Sequence, residues 1–106
     1  MALTRDFKET VRARAQRDPK FRLALIEDAI ESLIDGDLDG GRSVLSNYIN
    51  ATIGYPALAK LTGKDAKSLI RMLRPGGNPT SRNLLDILHH VKQQEGVKIE
   101  VRVKHA

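Results

Sequence analysis

Lys67 and Arg71 stand four residues apart in the segment AKSLIRMLR, with leucines at 69 and 73 between and beyond them. On a helix, residues four apart point the same way. A guanidinium fork and an ammonium on one face, above an apolar underside, form a device for reading a polyanion. Arg71 can bond both major-groove acceptors of a guanine at once, and Lys67 can donate to a guanine or a phosphate. Ser68 can touch either. Ala66 can offer only apolar contact to a thymine methyl. Around this face lie Lys60, Lys64, Arg74, Asn78, Thr80, Ser81 and Arg82, all of types that hold phosphates. The competing reading is plain: exposed cations are ordinarily just solvated, and Asn78 and Thr80 are common turn and cap residues.

Those side chains need a rigid support, and the stretch from Tyr55 to Leu88 supplies one. Its pattern predicts a helix, a tight turn at Gly63, a second helix, a Gly/Pro loop (Pro75-Gly76-Gly77) and a third helix. Ala59, four residues before Gly63, lets two backbones approach. Gly63 takes the turn. Leu58, Leu61, Leu69, Leu73 and Leu84 are the side chains placed to fill the space between the helices.

The sequence ALAKLTGKDAKSLIRMLRPGGNPTSRNLLDIL resembles the helix-turn-helix domain of lambda-repressor/Cro-like regulators. The shared pattern is Leu-Ala, a Gly after the next turn, a Ser-apolar pair inside the second helix, and Asn-Pro-Thr before an apolar helix. The longer run from RDFKETVRARAQRDPKFRLALIEDAIESLIDGD through YINATIGYPALAKLTG to GNPTSRNLLDIL is similar to the small HigA-like addiction-module antidote proteins, over roughly residues 4 to 94. The resemblance implies an antitoxin that represses its own operon and neutralises a RelE/HigB-like toxin. It also implies that Tyr55 stands where relatives place a polar, phosphate-contacting residue. Ala66 departs from the pattern, because relatives read bases from that position. Two other readings remain open: a Cro-like repressor with no toxin, and a protein-interaction module using the helix-turn-helix only as scaffold.

Charge is distributed to suit a polyanion. From Tyr55 to Ala106 there are ten Lys/Arg and four Asp/Glu; from Met1 to Gly54 there are eight and nine. The positive field therefore belongs to the second half, where it attracts phosphates by counterion release. Composition bounds the rest. A chain of 106 residues fits one domain, and 41% hydrophobic with 4% aromatic residues means an aliphatic core. With no cysteine there is no disulfide or thiol chemistry. No apolar run approaches the roughly 20 residues that span a bilayer, and MALTRDFKET lacks a signal peptide's apolar segment. A cytoplasmic location is the expectation.

The first half predicts three helices that pack onto the helix-turn-helix core. Thr4 can cap the first, from Arg5 to about Gln16, with Phe7, Val11 and Ala15 on a narrow apolar face. Asp18-Pro19 starts the second, to about Asp35. There Phe21, Leu25, Ala29 and Leu33 form one row, and Ile26, Ile30 and Ile34 the next. A third runs from Leu38 or Gly41 to Ala51. Residues 1–54, 55–95 and 96–106 thus divide one structural domain into helical extension, DNA-binding core and tail.

Glu27, Asp28, Glu31, Asp35, Asp37 and Asp39 form an acidic run with no basic residue inside it. It lacks the closing glutamate of a calcium loop. It reads as a solvated face, or as a docking surface for a basic partner. By the resemblance that partner is a toxin, with Glu27, Asp28, Glu31 and Asp35 as the candidates.

At the other end VKIEVRV alternates strictly, with Val97, Ile99, Val101 and Val103 on one side. This predicts a half-buried strand. A lone strand must pair. The partners open to it are the same strand of a second copy across a two-fold axis, giving a homodimer, or the sheet of a bound toxin.

Nothing assembles into a catalytic site. His89 and His90 diverge by about 100° on a helix and cannot share a metal. No metal-binding spacing or Ser-His-acid set is present, and PGGNP lacks the Lys-Ser/Thr of a phosphate-cradling loop. The expectation is a non-enzyme that needs no cofactor and no metal. It is an all-α lambda-repressor-like bundle with an N-terminal helical extension and a short C-terminal strand. Its expected partners are double-stranded DNA bearing an inverted repeat, a second copy and a toxin, with no membrane.

Overall fold

The computed structural model describes residues 5–106, so Thr4 and its cap lie outside the described residues. Six helices follow one another: α1 (Arg5–Arg17), α2 (Pro19–Ile34), α3 (Leu38–Ala51), α4 (Tyr55–Thr62), α5 (Ala66–Leu73) and α6 (Ser81–Glu95). Among the described residues no strand forms, and the class is all-α.

The local signals explain the boundaries. Asp18 accepts from the backbone N–H groups of Lys20 and Phe21, and Pro19 opens α2 where a missing N–H costs nothing. Asp37 caps α3 by accepting from Gly40 N–H. Thr80 caps α6 through Asn83 N–H at 3.1 Å. Gly63 ends α4 with φ +70°, a left-handed conformation that side-chain-bearing residues resist. Its N–H reaches the Ala59 carbonyl at 2.9 Å.

One aliphatic core runs through α2 to α6. Ile26, Leu45, Tyr48, Ile49, Leu58, Leu69, Leu73, Ile87 and Val91 are buried within it. The α2–α3 contact is the closest, and Gly41 makes it possible. A Cβ there would lie 2.6 Å from Leu33 Cγ and 3.0 Å from the Ala29 carbonyl oxygen. α1 docks by less: Ala15 is buried, Val11 is half-buried and Phe7 is exposed. Beside these residues a hollow of about 440 Å³ opens between α1 and α3. Arg12 strengthens the docking by donating to the Asn50 carbonyl at 2.9 Å, at the C-terminal end of α3.

A polar knot ties the first half to the second. Arg22 of α2 lies 3.0 Å from both carboxylate oxygens of Glu95 on α6, and also donates to the Ala15 carbonyl at 2.8 Å. The Tyr48 hydroxyl donates to the same carboxylate. Burial, then the neighbouring Glu95 charge, pushes the Tyr48 hydroxyl well above its ordinary pKa, so it stays protonated and keeps donating. Thus α2, α3 and α6 meet at Glu95, and α1 joins them through Arg22.

Three expectations need correction. The tail from Val97 to Val103 is not a strand. Among the described residues no second strand exists to take its backbone groups, so its alternation is spent differently. Ile99 packs against the core and Val97 is half-buried, whereas Val101 and Val103 are 82% and 91% exposed. Ile34 leaves the apolar stripe of α2 and is 78% exposed, because α2 ends there and the chain turns at Gly36 before α3 can cover it. Leu61 is likewise half-exposed on the outer side of α4.

Arg42 is a buried cation whose Nε has no hydrogen-bond partner among the described residues, while its terminal nitrogen pairs with the exposed Asp39. An orphaned buried donor costs desolvation without return. Arg42→Met keeps the length of the side chain and removes the orphan. The expected Tm is unchanged or higher in a thermal melt. A fall of more than about 5 °C, roughly 1 kcal/mol, would show that the Asp39 pair outweighs the orphan.

Candidate nucleic-acid interface

α4 and α5 are eight-residue helices joined by Gly63, Lys64 and Asp65. α5 has the strongest division of faces in the molecule. Leu69 and Leu73 are buried, and Ala66, Ser68 and Met72 are half-buried. Lys67, Ile70 and Arg71 are exposed, and Arg74 follows them at the C-terminal cap. At about 100° per residue, the exposed side chains span a single arc. Ile70 lies on one margin, Arg74 and Lys67 in the middle, and Arg71 on the other margin.

The cations of this arc are not committed within the fold. Among the described residues Lys67, Arg71 and Arg74 form no salt bridge, and neither do Lys60 or Arg82. On the Arg71 margin the chain folds back after α5. Ser68, Arg71, Met72, Arg74, Gly76 and Asn78 line a notch of about 380 Å³. Gly77 allows that return. A Cβ there would stand 2.3 Å from the Met72 carbonyl oxygen and 2.7 Å from that of Arg71, so only glycine lets the loop lie on the end of α5. The result is a concave, doubly cationic edge with one amide side chain, a shape and charge that suit a phosphate.

The other candidates fall into three groups. Asn78 is exposed and lines the notch, and Lys60, Thr80 and Arg82 are exposed, although the Thr80 hydroxyl is occupied in capping α6. Lys64 is half-buried, and its ammonium lies 2.6 Å from Asp86 on α6, so it fastens the turn to α6. Tyr55 requires correction. It is only 7% exposed and its hydroxyl is 2.6 Å from Ser46 Oγ. Burial raises its pKa above the ordinary phenol value, with the Ser46 bond opposing. At the opening of α4 the ring points inward onto α3, so it is a core residue and not a surface phosphate contact.

The Lys64 pairing sets a pH dependence. The Lys64 ammonium holds the Asp86 carboxyl below the usual carboxylate range. A depressed carboxyl adds stability that is present above its unfolded pKa, about 3.9, and is lost as pH falls through the folded value. His90 flanks the pair, its Nδ1 donating to the Asp86 carbonyl at 2.8 Å. Asp86→Asn should therefore melt lower than the parent at pH 7, and the gap should narrow below about pH 4. Melts at pH 7 and pH 3 check this. A gap that persists undiminished at pH 3 would contradict it.

Two contributors escaped the sequence reading. Asp65, exposed and with no side-chain capping bond, places a carboxylate at the N-terminus of α5. Like charge there would repel a phosphate, so that end of the helix is less suited to one than the notch at the other end. Ile70 is the second. Its side chain is exposed, because Leu69 and Leu73 fill the face beneath the helix.

The acidic candidates Glu27, Asp28 and Glu31 on α2 and Asp35 at its C-cap are all exposed, and none forms a salt bridge among the described residues. Ile34 and Leu38, on either side of Asp35 in the chain, are exposed as well. Among the described residues no group of three or more His, Cys, Asp or Glu side chains could hold a metal ion. No helix among them is long and apolar enough to cross a membrane. Comparison with protein-family models, curated proteins and solved structures returns no significant match.

Proposed function

We propose that this chain is a DNA-binding repressor of the antitoxin type, built on a lambda-repressor-like helix-turn-helix. The observation that carries the reading is the outer arc of α5. Lys67, Arg71 and Arg74 stand there without a salt bridge among the described residues, on a helix whose opposite face is locked into the core by Leu69 and Leu73. A rigid amphipathic helix with free cations and a phosphate-shaped notch at its end matches what major-groove reading requires. Two copies on one duplex would place their recognition helices about 34 Å apart, on an inverted repeat. In this reading Lys67 and Arg71 reach base edges. Ser68, Arg74 and Asn78 hold phosphate at the notch, and Lys60 and Arg82 add sequence-independent attraction. Lys64 contributes by fixing the turn.

The acidic surface of α2 supports the second half of the proposal. Four exposed carboxylates with no salt bridge among the described residues, together with the exposed Ile34 and Leu38, suit a partner that is basic and partly apolar, the character expected of a RelE/HigB-like toxin.

A gel shift with duplex from the region upstream of the coding sequence, against excess random duplex, tests the repressor. Retention of the upstream band supports it, and equal competition by random duplex rejects it. Glu31→Lys tests the partner surface. It should leave the gel shift unchanged and weaken binding to the small basic protein encoded in the adjacent reading frame. Unchanged binding to that protein would remove α2 from the partner surface.

A further inference from the structure

Ile70 is the one large apolar side chain on the outer arc of α5, 48% exposed among cations. Single exposed hydrophobes are ordinary on protein surfaces, so its position matters more than its exposure. It lies one helical turn after Ala66, and together they make a short apolar margin along the arc. Lys67 and Arg74 adjoin that margin, and Arg71 with the polar notch lies on the opposite one. A helix lowered onto DNA by these cations would press the Ala66–Ile70 margin against one wall of the major groove. The apolar group displayed in that groove is the C5 methyl of thymine.

We propose that Ile70 is a specificity-determining residue that reads a thymine methyl, beside the guanine read by Arg71 or Lys67. The inference rests on the repressor reading and deepens it: each half-site carries a thymine flanking the guanine, recognised by shape and burial instead of hydrogen bonds. Ala66, half-buried and a turn earlier, borders the same methyl or its neighbour.

The test begins with selection of binding sites from a random duplex pool by the intact chain. Each thymine of the selected half-site is then replaced in turn by deoxyuridine, which removes only the methyl. At one thymine the parent protein should lose about fourfold in affinity, the value of one buried methyl group. Ile70→Ala should lose a similar factor on the thymine site and nothing further on the uracil site, so the two changes fail to add. The DNA substitution leaves the protein untouched, so a misfolded variant cannot produce its result.

Selection of no site would reject the repressor reading itself. A selected site indifferent to every uracil would reject the role of Ile70 while leaving that reading in place. A uracil effect that persists in full in Ile70→Ala would also reject it, because another residue would then be reading the methyl.

Discussion

Replacing Glu95 with alanine should lower stability by about 3 kcal/mol, the order expected when one member of a largely buried ion pair is removed, and lower Tm by more than about 10 °C. The size follows from how much converges on one carboxylate. Arg22 lies 3.0 Å from both of its oxygens, and the Tyr48 hydroxyl donates to it from within the core. Truncation leaves a guanidinium and a phenol under the surface without their acceptor, and each pays desolvation. Glu95→Gln keeps an acceptor and the shape, and should cost less. Arg22→Ala combined with Glu95→Ala should cost clearly less than the two changes added, because the second removes what the first has orphaned. Urea unfolding at constant m gives these values. A loss under about 1 kcal/mol for Glu95→Ala would mean that solvent replaces the knot cheaply, as it does for surface pairs.

On the functional side, Arg71→Ala should weaken specific DNA binding by about 1–3 kcal/mol. The pair Lys67→Ala and Arg71→Ala together should bring affinity close to that for random duplex. Both side chains are exposed and form no salt bridge among the described residues, so the fold should be unaffected. Salt dependence distinguishes a base contact from a phosphate contact. Losing a phosphate contact lowers the slope of log K against log salt by about one, whereas losing a base contact relaxes specificity with the slope nearly kept. Arg71→Ala is expected to follow the second pattern. Operator affinity equal to the parent's would remove Arg71 from the recognition set.

The helices were largely legible because their ends carry local chemistry. Asp18-Pro19, Asp37, Gly63, Thr80 and Gly96 each act within a few residues of themselves, and a sequence displays such signals directly. The outer face of α5 was legible for a related reason: helical period and residue type alone place Lys67 and Arg71 together. What the sequence concealed depends on contacts distant along the chain. Glu95 sits 73 residues from Arg22 and 47 from Tyr48, too far along the chain for local pattern to pair them. Lys64 looked like a free cation because Asp86 lies 22 residues away. Tyr55 entered as a phosphate contact through the resemblance alone, and its pairing with Ser46 is not displayed by local pattern. The tail failed for a different reason. Alternation at Val97, Ile99, Val101 and Val103 states which side is apolar, but a strand exists only where another strand accepts its backbone.

The central claim is that the outer arc of α5 binds DNA as a pair of copies. The most direct measurement is fluorescence anisotropy of a labelled upstream duplex, titrated with the intact chain at 50 and 200 mM salt. The account predicts saturable binding at two protomers per duplex, with affinity falling by about 10³–10⁵ between those salt concentrations. Binding that is no tighter than to a scrambled duplex, or that is indifferent to salt, would contradict it.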